Sequence, residues 1–432
     1  MTQREADRRH ELRAAPKPVG IRAFWKSLGP GIVTGAADDD PSGIATYSIA
    51  GARYGTTLIW MALFTWPLMV AVQSMCARIG MVTGQGIAGA LRNKFSRPVL
   101  VVAAGALFLA NTINVGADLT GMADAAELLT GVNSHIWVVV LGVGIAVATI
   151  RLRYAVIAGA LKWLALVLLA YVITAFYLGP SWSAVAKDTL VPHIPQLGGA
   201  WATVVAILGT TISPYLFFWQ ASQEVEEEKG MGRRRIVDRI GAQPYEIRTR
   251  KIDVAIGGFF SNAAMFFIIL ATALTLHRAG LTHLETSRQV AEALKPLAGR
   301  FASLLYTVGL LGTGALAIPT LAGAGAYAFA EIFGWRQGMD EPYNRAPGFY
   351  ATFIVSVALG IGMDFANVNA VAALYWTAVI NGILAPFLLV GILIAASDRD
   401  LMHGQPSSLL GRGVVALTTI IMFAAAIGMF VF

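Results

Sequence analysis

The chain has 432 residues, 56% of them hydrophobic and only 13% charged, with a formal net charge of +7. Soluble domains carry about 25% charged residues, so too little polar surface is present to face water on all sides, and a soluble globular fold is excluded. The single cysteine, Cys76, excludes an intrachain disulfide.

Met1–Lys26 is charged and has no apolar core, so it does not read as a cleavable signal peptide. Residues 1–27 are expected to form a disordered basic cytoplasmic tail. Residues 28–432 are expected to form one transmembrane domain. Long apolar runs fall near 28–50, 57–78, 98–129, 135–151, 154–178, 200–225, 253–276, 302–333, 348–363, 369–396 and 413–432. One helix needs about 20 such residues to cross a bilayer. The chain is therefore predicted to be an all-α membrane protein of about eleven helices. Residues 28–178 would form a first repeat, 200–396 a second, and 413–432 an extra helix.

With the N-terminus inside, 25 lysines and arginines fall on the inner side and six on the outer side. That asymmetry follows the positive-inside rule of inner-membrane proteins. It accounts for the net charge without a nucleic-acid partner. The densest inner loop, Glu226–Lys251 with Arg233, Arg234 and Arg235, reads as a topology signal in contact with anionic lipid. Glu224 and Glu226–Glu228, at the cytoplasmic end of the sixth span, read as a solvated acidic exit or simply as surface.

Two spans are interrupted. In the first, Asp38-Asp39-Asp40-Pro41-Ser42-Gly43 begins about a dozen residues in, about 18 Å deep at roughly 1.5 Å per residue, near the bilayer midplane. Carboxylates are expensive at that depth, and Pro41 removes a backbone donor. A placement at the interface fails because 44–55 supplies only twelve residues, too few to cross. In the sixth span Pro214 is flanked by Thr210, Thr211 and Ser213. Paired breaks in the first and sixth spans are what an inverted five-plus-five repeat produces, and in transporters such breaks frame the binding site.

A carboxylate beside unwound carbonyls and hydroxyls makes a hard oxygen site suited to divalent cations such as magnesium or manganese. Asp40, beside the break, is the expected ligand, and Asp38 and Asp39 are candidates to draw in cations or carry protons. Asp118 is a candidate relay for a proton or ion. Asn111, Asn114, Asn262 and Asn381 read mainly as hydrogen-bonding glue between helices, with Asn262 also a candidate on the ion pathway. The sequence holds no H-E-x-x-H, G-x-S-x-G or P-loop motif. No enzyme, cofactor or obligate protein partner is expected.

At these residues, from about Leu28 to the C-terminus, the chain resembles the Nramp (natural resistance-associated macrophage protein) family of divalent-metal transporters. Leu310–Glu331 is similar to that family's eighth helix. The resemblance implies the LeuT-type inverted repeat and transport of manganese, iron or related ions, usually with protons. The family's Asp-Pro-Gly-Asn is here Asp40-Pro41-Ser42-Gly43, so the asparagine ligand is replaced by Gly43. Its Met-Pro-His is Ser213-Pro214-Tyr215, which removes a thioether and a histidine linked to proton movement. The implied carbonyl ligands are Ala37 and Thr210, with Ser213 in the thioether's place. Asp118 matches a family acid, whereas a glutamate becomes Gly121 and a glutamine Ala378. Loss of the soft thioether weakens discrimination against magnesium. The leading expectation is thus a divalent-cation importer working by alternating access. The alternatives are the same fold carrying a small organic solute or anion, or a non-transporting membrane sensor.

Overall fold

The computed structural model describes residues 30–432 apart from 93, 153–167, 197 and 367–368. The expected tail at 1–27 lies outside the described residues. The first expected span is two helices, α1 (Pro30–Asp38) and α2 (Pro41–Tyr54). After it come α3 (Trp60–Thr83), α4 (Arg97–Thr130) and α5 (Ser134–Arg151). The fifth span is described only at its end, α6 (Leu169–Tyr177). The sixth is again two helices, α7 (Ala200–Thr211) and α8 (Pro214–Gly230). The rest are α9 (Pro244–Thr272, prolonged by a π turn to His277), α10 (Ala302–Phe333), α11 (Pro347–Asp364), α12 (Ala370–Ser397) and α13 (Leu409–Val431). Among the described residues there is no strand. Nine segments there are long and apolar enough to cross a membrane, with α7–α8 counted as one. The halves α1 and α2, at 9 and 14 residues, are each too short alone.

Prolines and glycines set the ends. Pro41, Pro214, Pro244 and Pro347 each open a helix, where the missing N–H would have lacked a partner anyway. Gly84 (φ 65°) and Gly131 (φ 71°) close α3 and α4 in the left-handed conformation.

Small residues fix the two leading half-helices against long helices, α1 against one from the second half of the chain and α7 against one from its own half. A Cβ on Gly31 would lie 2.6 Å from the Val254 amide, and one on Gly35 would lie 2.4 Å from Gly257 backbone, so α1 meets α9 backbone to backbone. In the same way, α7 meets α12. A Cβ on Gly209 would lie 2.0 Å from the Ala378 carbonyl, and one on Gly382 would lie 2.3 Å from the Val205 carbonyl. Such contacts replace the hydrophobic drive that lipid cannot supply. Large apolar side chains such as Val102, Leu109, Phe387 and Ile420 point outward, as a multi-pass membrane protein requires.

Two expectations need correction. The helix α9 starts at Pro244 rather than near 253. Its first turns carry Glu246, Arg248, Arg250 and Lys251, which read as a loop, and Glu246 closes a capping box with Gln243. The acidic stretch after Gln223 is likewise not solvated surface. Glu224 and Glu227 pair with Arg250, and Glu228 with Arg233, which is 2% exposed and also holds Glu246 at 2.6 Å. Arg233 is therefore a buried strut and not a lipid contact.

Candidate functional site

Both breaks are built on a residue that precedes proline. Such a residue is pushed out of the helical region. Asp40 (φ −70°, ψ 170°) and Ser213 (φ −76°, ψ 136°) are extended, and each begins the second half-helix of its pair. Their side chains turn in opposite directions. Asp40 faces forward as the N-cap of α2, its Oδ1 accepting from the Gly43 amide and the Ser42 hydroxyl at 2.7 Å each. Ser213 faces backward and donates to the Gly209 and Thr210 carbonyls at 2.5 and 2.8 Å, satisfying the end of α7. One break thus exposes amides that an acid covers, and the other exposes carbonyls that a hydroxyl covers.

The two breaks touch. Tyr215 donates to the Ala37 carbonyl at 2.9 Å, and Tyr47 on α2 shares a 2.6 Å hydrogen bond with the Thr210 hydroxyl on α7. Gly43 faces the same spot: a Cβ there would lie 3.4 Å from the Asp38 carbonyl, Asp40 Oδ1 and the Thr210 hydroxyl alike. The structure therefore brings together Asp40, Ala37, Gly43, Thr210, Ser213 and Tyr215. The carbonyls of Ala37 and Thr210 are each engaged by a hydroxyl.

Asp118 joins this group through an amide. Asn114 Nδ2 donates to Asp40 Oδ2 and to Asp118 Oδ2, 3.1 Å in each case, and Asn114 Oδ1 accepts from Asn381 Nδ2 at 3.1 Å. All four side chains are essentially inaccessible to solvent, Asp40 at 2% being the most exposed. Among the described residues no cationic side chain figures in the electrostatics of either acid. Among the described residues no three His, Cys, Asp or Glu side chains converge as metal ligands. Any ion held here would therefore be shared between carboxylates, amides, hydroxyls and carbonyls.

Asp38 and Asp39 point elsewhere. Ser261 on α9 donates to Asp38 Oδ2 and lies 3.4 Å from Asp39 Oδ1, while Asp38 Oδ1 is buried without a donor. Asn262 sits apart, joining α9 to α3: it accepts from Thr65 at 2.7 Å and donates to the Gly258 carbonyl at 2.8 Å. Asn114 and Asn381, mainly glue by sequence, here meet the acids directly and through each other. The signal for Asn114 was its spacing, four residues before Asp118 on one helix face. Ser261 carried no sequence signal. At Gly121, where the family has a glutamate, an added Cβ would lie 2.8 Å from Leu374, which fills that space.

On the Arg250 side, α1 is latched shut. The Gly31 amide donates to Asp253 Oδ2 at 2.8 Å, Thr34 donates to Gln220 at 2.7 Å, and Gln220 donates to Glu224 at 2.6 Å. Arg250 joins the ends of that chain by pairing with Glu224, Glu227 and Asp253.

Two broken helices that meet at a buried acid, within a bundle of unbroken membrane helices, form the core of a LeuT-type transporter fold. The model of the Nramp family, natural resistance-associated macrophage protein-like, matches residues 31–432, and the chain belongs to that family. The divalent metal cation transporter MntH of Deinococcus radiodurans is 26% identical over 408 residues, covering 90% of this chain and 86% of that one. MntH of Caldanaerobacter subterraneus is 27% identical over 402 residues, covering 89% and 87%. Among solved structures, the Eremococcus coleocola manganese transporter superposes with a TM-score of 0.75 at 18% identity, covering 96% of this chain and 89% of that one. MhsT with bound L-phenylalanine superposes at 0.56 and 14% identity, covering 92% and 98%. These structural likenesses carry the fold.

Proposed function

We propose that this protein is a secondary transporter that imports a hard divalent cation, manganese or magnesium, across the inner membrane by alternating access. The observation that carries the reading is the pair of buried carboxylates, Asp40 and Asp118, at the meeting of two helix breaks, with no cationic partner among the described residues. Uncompensated acids in a bilayer interior are costly, and a passing cation gives them a purpose. Asp40 takes the ion. The carbonyls of Ala37 and Thr210 join only if Tyr215 and Ser213 turn away. Asp38 and Asp39, held on Ser261, lie beside the path as groups that draw the cation in or carry protons. The N-terminus lies in the cytoplasm, with Arg234 and Arg235 at the anionic lipid surface. The two repeats, 28–178 and 200–396, rock against each other about the breaks. Membership of a transporter family favours transport over sensing or catalysis.

An anionic cargo docked on α2 is disfavoured by Asp40 itself. The positive end of α2 would be its docking point, and the protein's own carboxylate already occupies it.

The test is uptake of Mn²⁺ and Mg²⁺ into proteoliposomes by wild type and Asp40→Asn. Asparagine caps a helix as well as aspartate does, so the variant keeps the α2 cap and loses only the charge. Uptake by the wild type that vanishes in the variant supports the reading. Equal uptake by both removes Asp40 from the mechanism.

A further inference from the structure

Asn114 stands where two carboxylates converge. Its single Nδ2 donates to Asp40 Oδ2 and to Asp118 Oδ2, both at 3.1 Å. Those two oxygens are therefore no more than about 6 Å apart, and hard divalent cations bind oxygen at about 2.0–2.6 Å. A cation placed between them needs only a small inward movement of either side chain. The amide's two N–H groups now supply the positive charge that an ion would bring.

Two buried acceptors, Asp118 Oδ1 and Asn381 Oδ1, on residues 0% and 1% exposed, have no donor in hydrogen-bond geometry, although the Ser42 amide lies close enough to the Asp118 carboxyl to interact with it. Polar atoms left so in a bilayer interior are costly unless something positive reaches them. The carboxamides explain how that can happen. Asn114 presents NH₂ to the acids and its oxygen to Asn381. A half-turn of its terminal amide would present oxygen to the gap and NH₂ to Asn381, whose own oxygen would accept after the matching turn. Each amide carries a donor face and an acceptor face, so the link between them survives in both arrangements, and no bond or proton is exchanged.

We propose that the cation is held between Asp40 and Asp118, and that the Asn114 amide is its displaceable stand-in, turning its carbonyl onto the ion while Asn381 follows. This rests on the transport reading above and names its site: side-chain oxygens of Asp40 at the first break and of Asp118 and Asn114 on α4, with Asn381 on α12 holding the turned amide. It is an all-oxygen site without nitrogen or sulfur. It suits Mg²⁺ and Mn²⁺ with retained water and gives softer ions no advantage.

The experiment is calorimetry of Mn²⁺ and Mg²⁺ on the purified full-length chain, with manganese anomalous scattering from crystals. Asp118→Asn and Asn381→Ala weaken both metals at least tenfold. Thr112→Val, which removes a buried α4–α11 hydrogen bond outside the site, leaves binding within twofold. Asn381→Asp, which keeps an acceptor and adds charge, binds at least as tightly as wild type, and it stands in if Asn381→Ala does not fold. The anomalous peak falls between Asp40 and Asp118. Wild-type affinity in Asp118→Asn, tenfold weaker binding in Asn381→Asp, or a peak on the Ala37 and Thr210 carbonyls overturns the proposal and leaves the transport reading intact. A wild-type chain that binds neither metal overturns both.

Discussion

The Tyr215 hydroxyl donates to the Ala37 carbonyl at 2.9 Å, so the second half of one broken helix is tied to the last turn of the other. The donor lies two residues after the break at Ser213 and the acceptor three residues before Asp40. This contact, the Tyr47–Thr210 contact and the Asp40 cap satisfy backbone and hydroxyl groups that unwinding would otherwise leave bare in a water-poor interior. The breaks are thus closed by the protein's own groups, and these hydrogen bonds are ones that a moving half-helix can exchange.

Tyr215→Phe isolates that tie. It leaves the Ala37 carbonyl buried without its donor, at a cost of about 1–3 kcal/mol. A lower thermal midpoint is expected, with metal affinity undiminished, because the hydroxyl holds the two breaks together and does not hold the ion. Thermal unfolding and calorimetry on the same preparation check this. A tenfold loss of affinity would instead assign the hydroxyl to the ion.

Gly43→Asn restores the side chain that the family signature carries. The position has room, since an added Cβ meets its three nearest atoms at 3.4 Å, an ordinary contact distance. Glycine in a helix also gives up more conformational freedom than asparagine does. The variant should fold at least as well as wild type and offer the ion one more oxygen. Affinity for Mn²⁺ should rise by on the order of tenfold, equivalent to about 1.4 kcal/mol. Calorimetry decides it, and weaker binding would mean that the amide obstructs the site.

The spans were legible because crossing a bilayer demands an unbroken apolar run, which leaves a local mark. The breaks were legible for the same reason: Pro41 and Pro214 each delete a backbone donor in mid-run, and Asp40 stands where a cap belongs. What was illegible depends on pairing across the chain. Arg233 looks like any loop arginine until Glu228 and Glu246 close on it. Asn114 and Asn381 lie 267 positions apart, and nothing local says that their amides meet. The charged first turns of α9 resemble a loop because the sign of a helix, an apolar face, is replaced there by ion pairs with α8. Nor does Ser213 announce from sequence that its hydroxyl turns back onto α7.

Gly35→Ala probes the seat of α1. Its Cβ would lie 2.4 Å from the backbone of Gly257, which cannot rotate away as a side chain would. The helices must separate, at a cost of about 1–3 kcal/mol for overpacking. Because α1 is a half-helix and α9 a full span, α1 is the one displaced, and the population with α1 detached should grow. Spin labels placed on α1 and α9 should report a longer distance in the variant. An unchanged distance distribution would show that the contact is softer than its geometry suggests.

Arg250→Ala opens the latch beneath α1. It removes the guanidinium from Glu224, Glu227 and Asp253 at once, and breaking a buried ion pair costs about 3–5 kcal/mol. Asp253 also accepts from the Gly31 amide, and Glu224 from Gln220, which holds Thr34. Release of the acids therefore loosens α1 at two points along its length. Thr34 is 1% exposed and Cys76 is fully buried. In a Cys76→Ala background, Thr34→Cys should then react slowly with a maleimide, and the added Arg250→Ala should speed that reaction at least tenfold. Arg250→Lys keeps the charge but loses the planar fork that reaches three carboxylates, so it should fall between the two. If the three rates coincide, the arginine cluster is structural ballast and α1 is held by its glycine contacts with α9 alone.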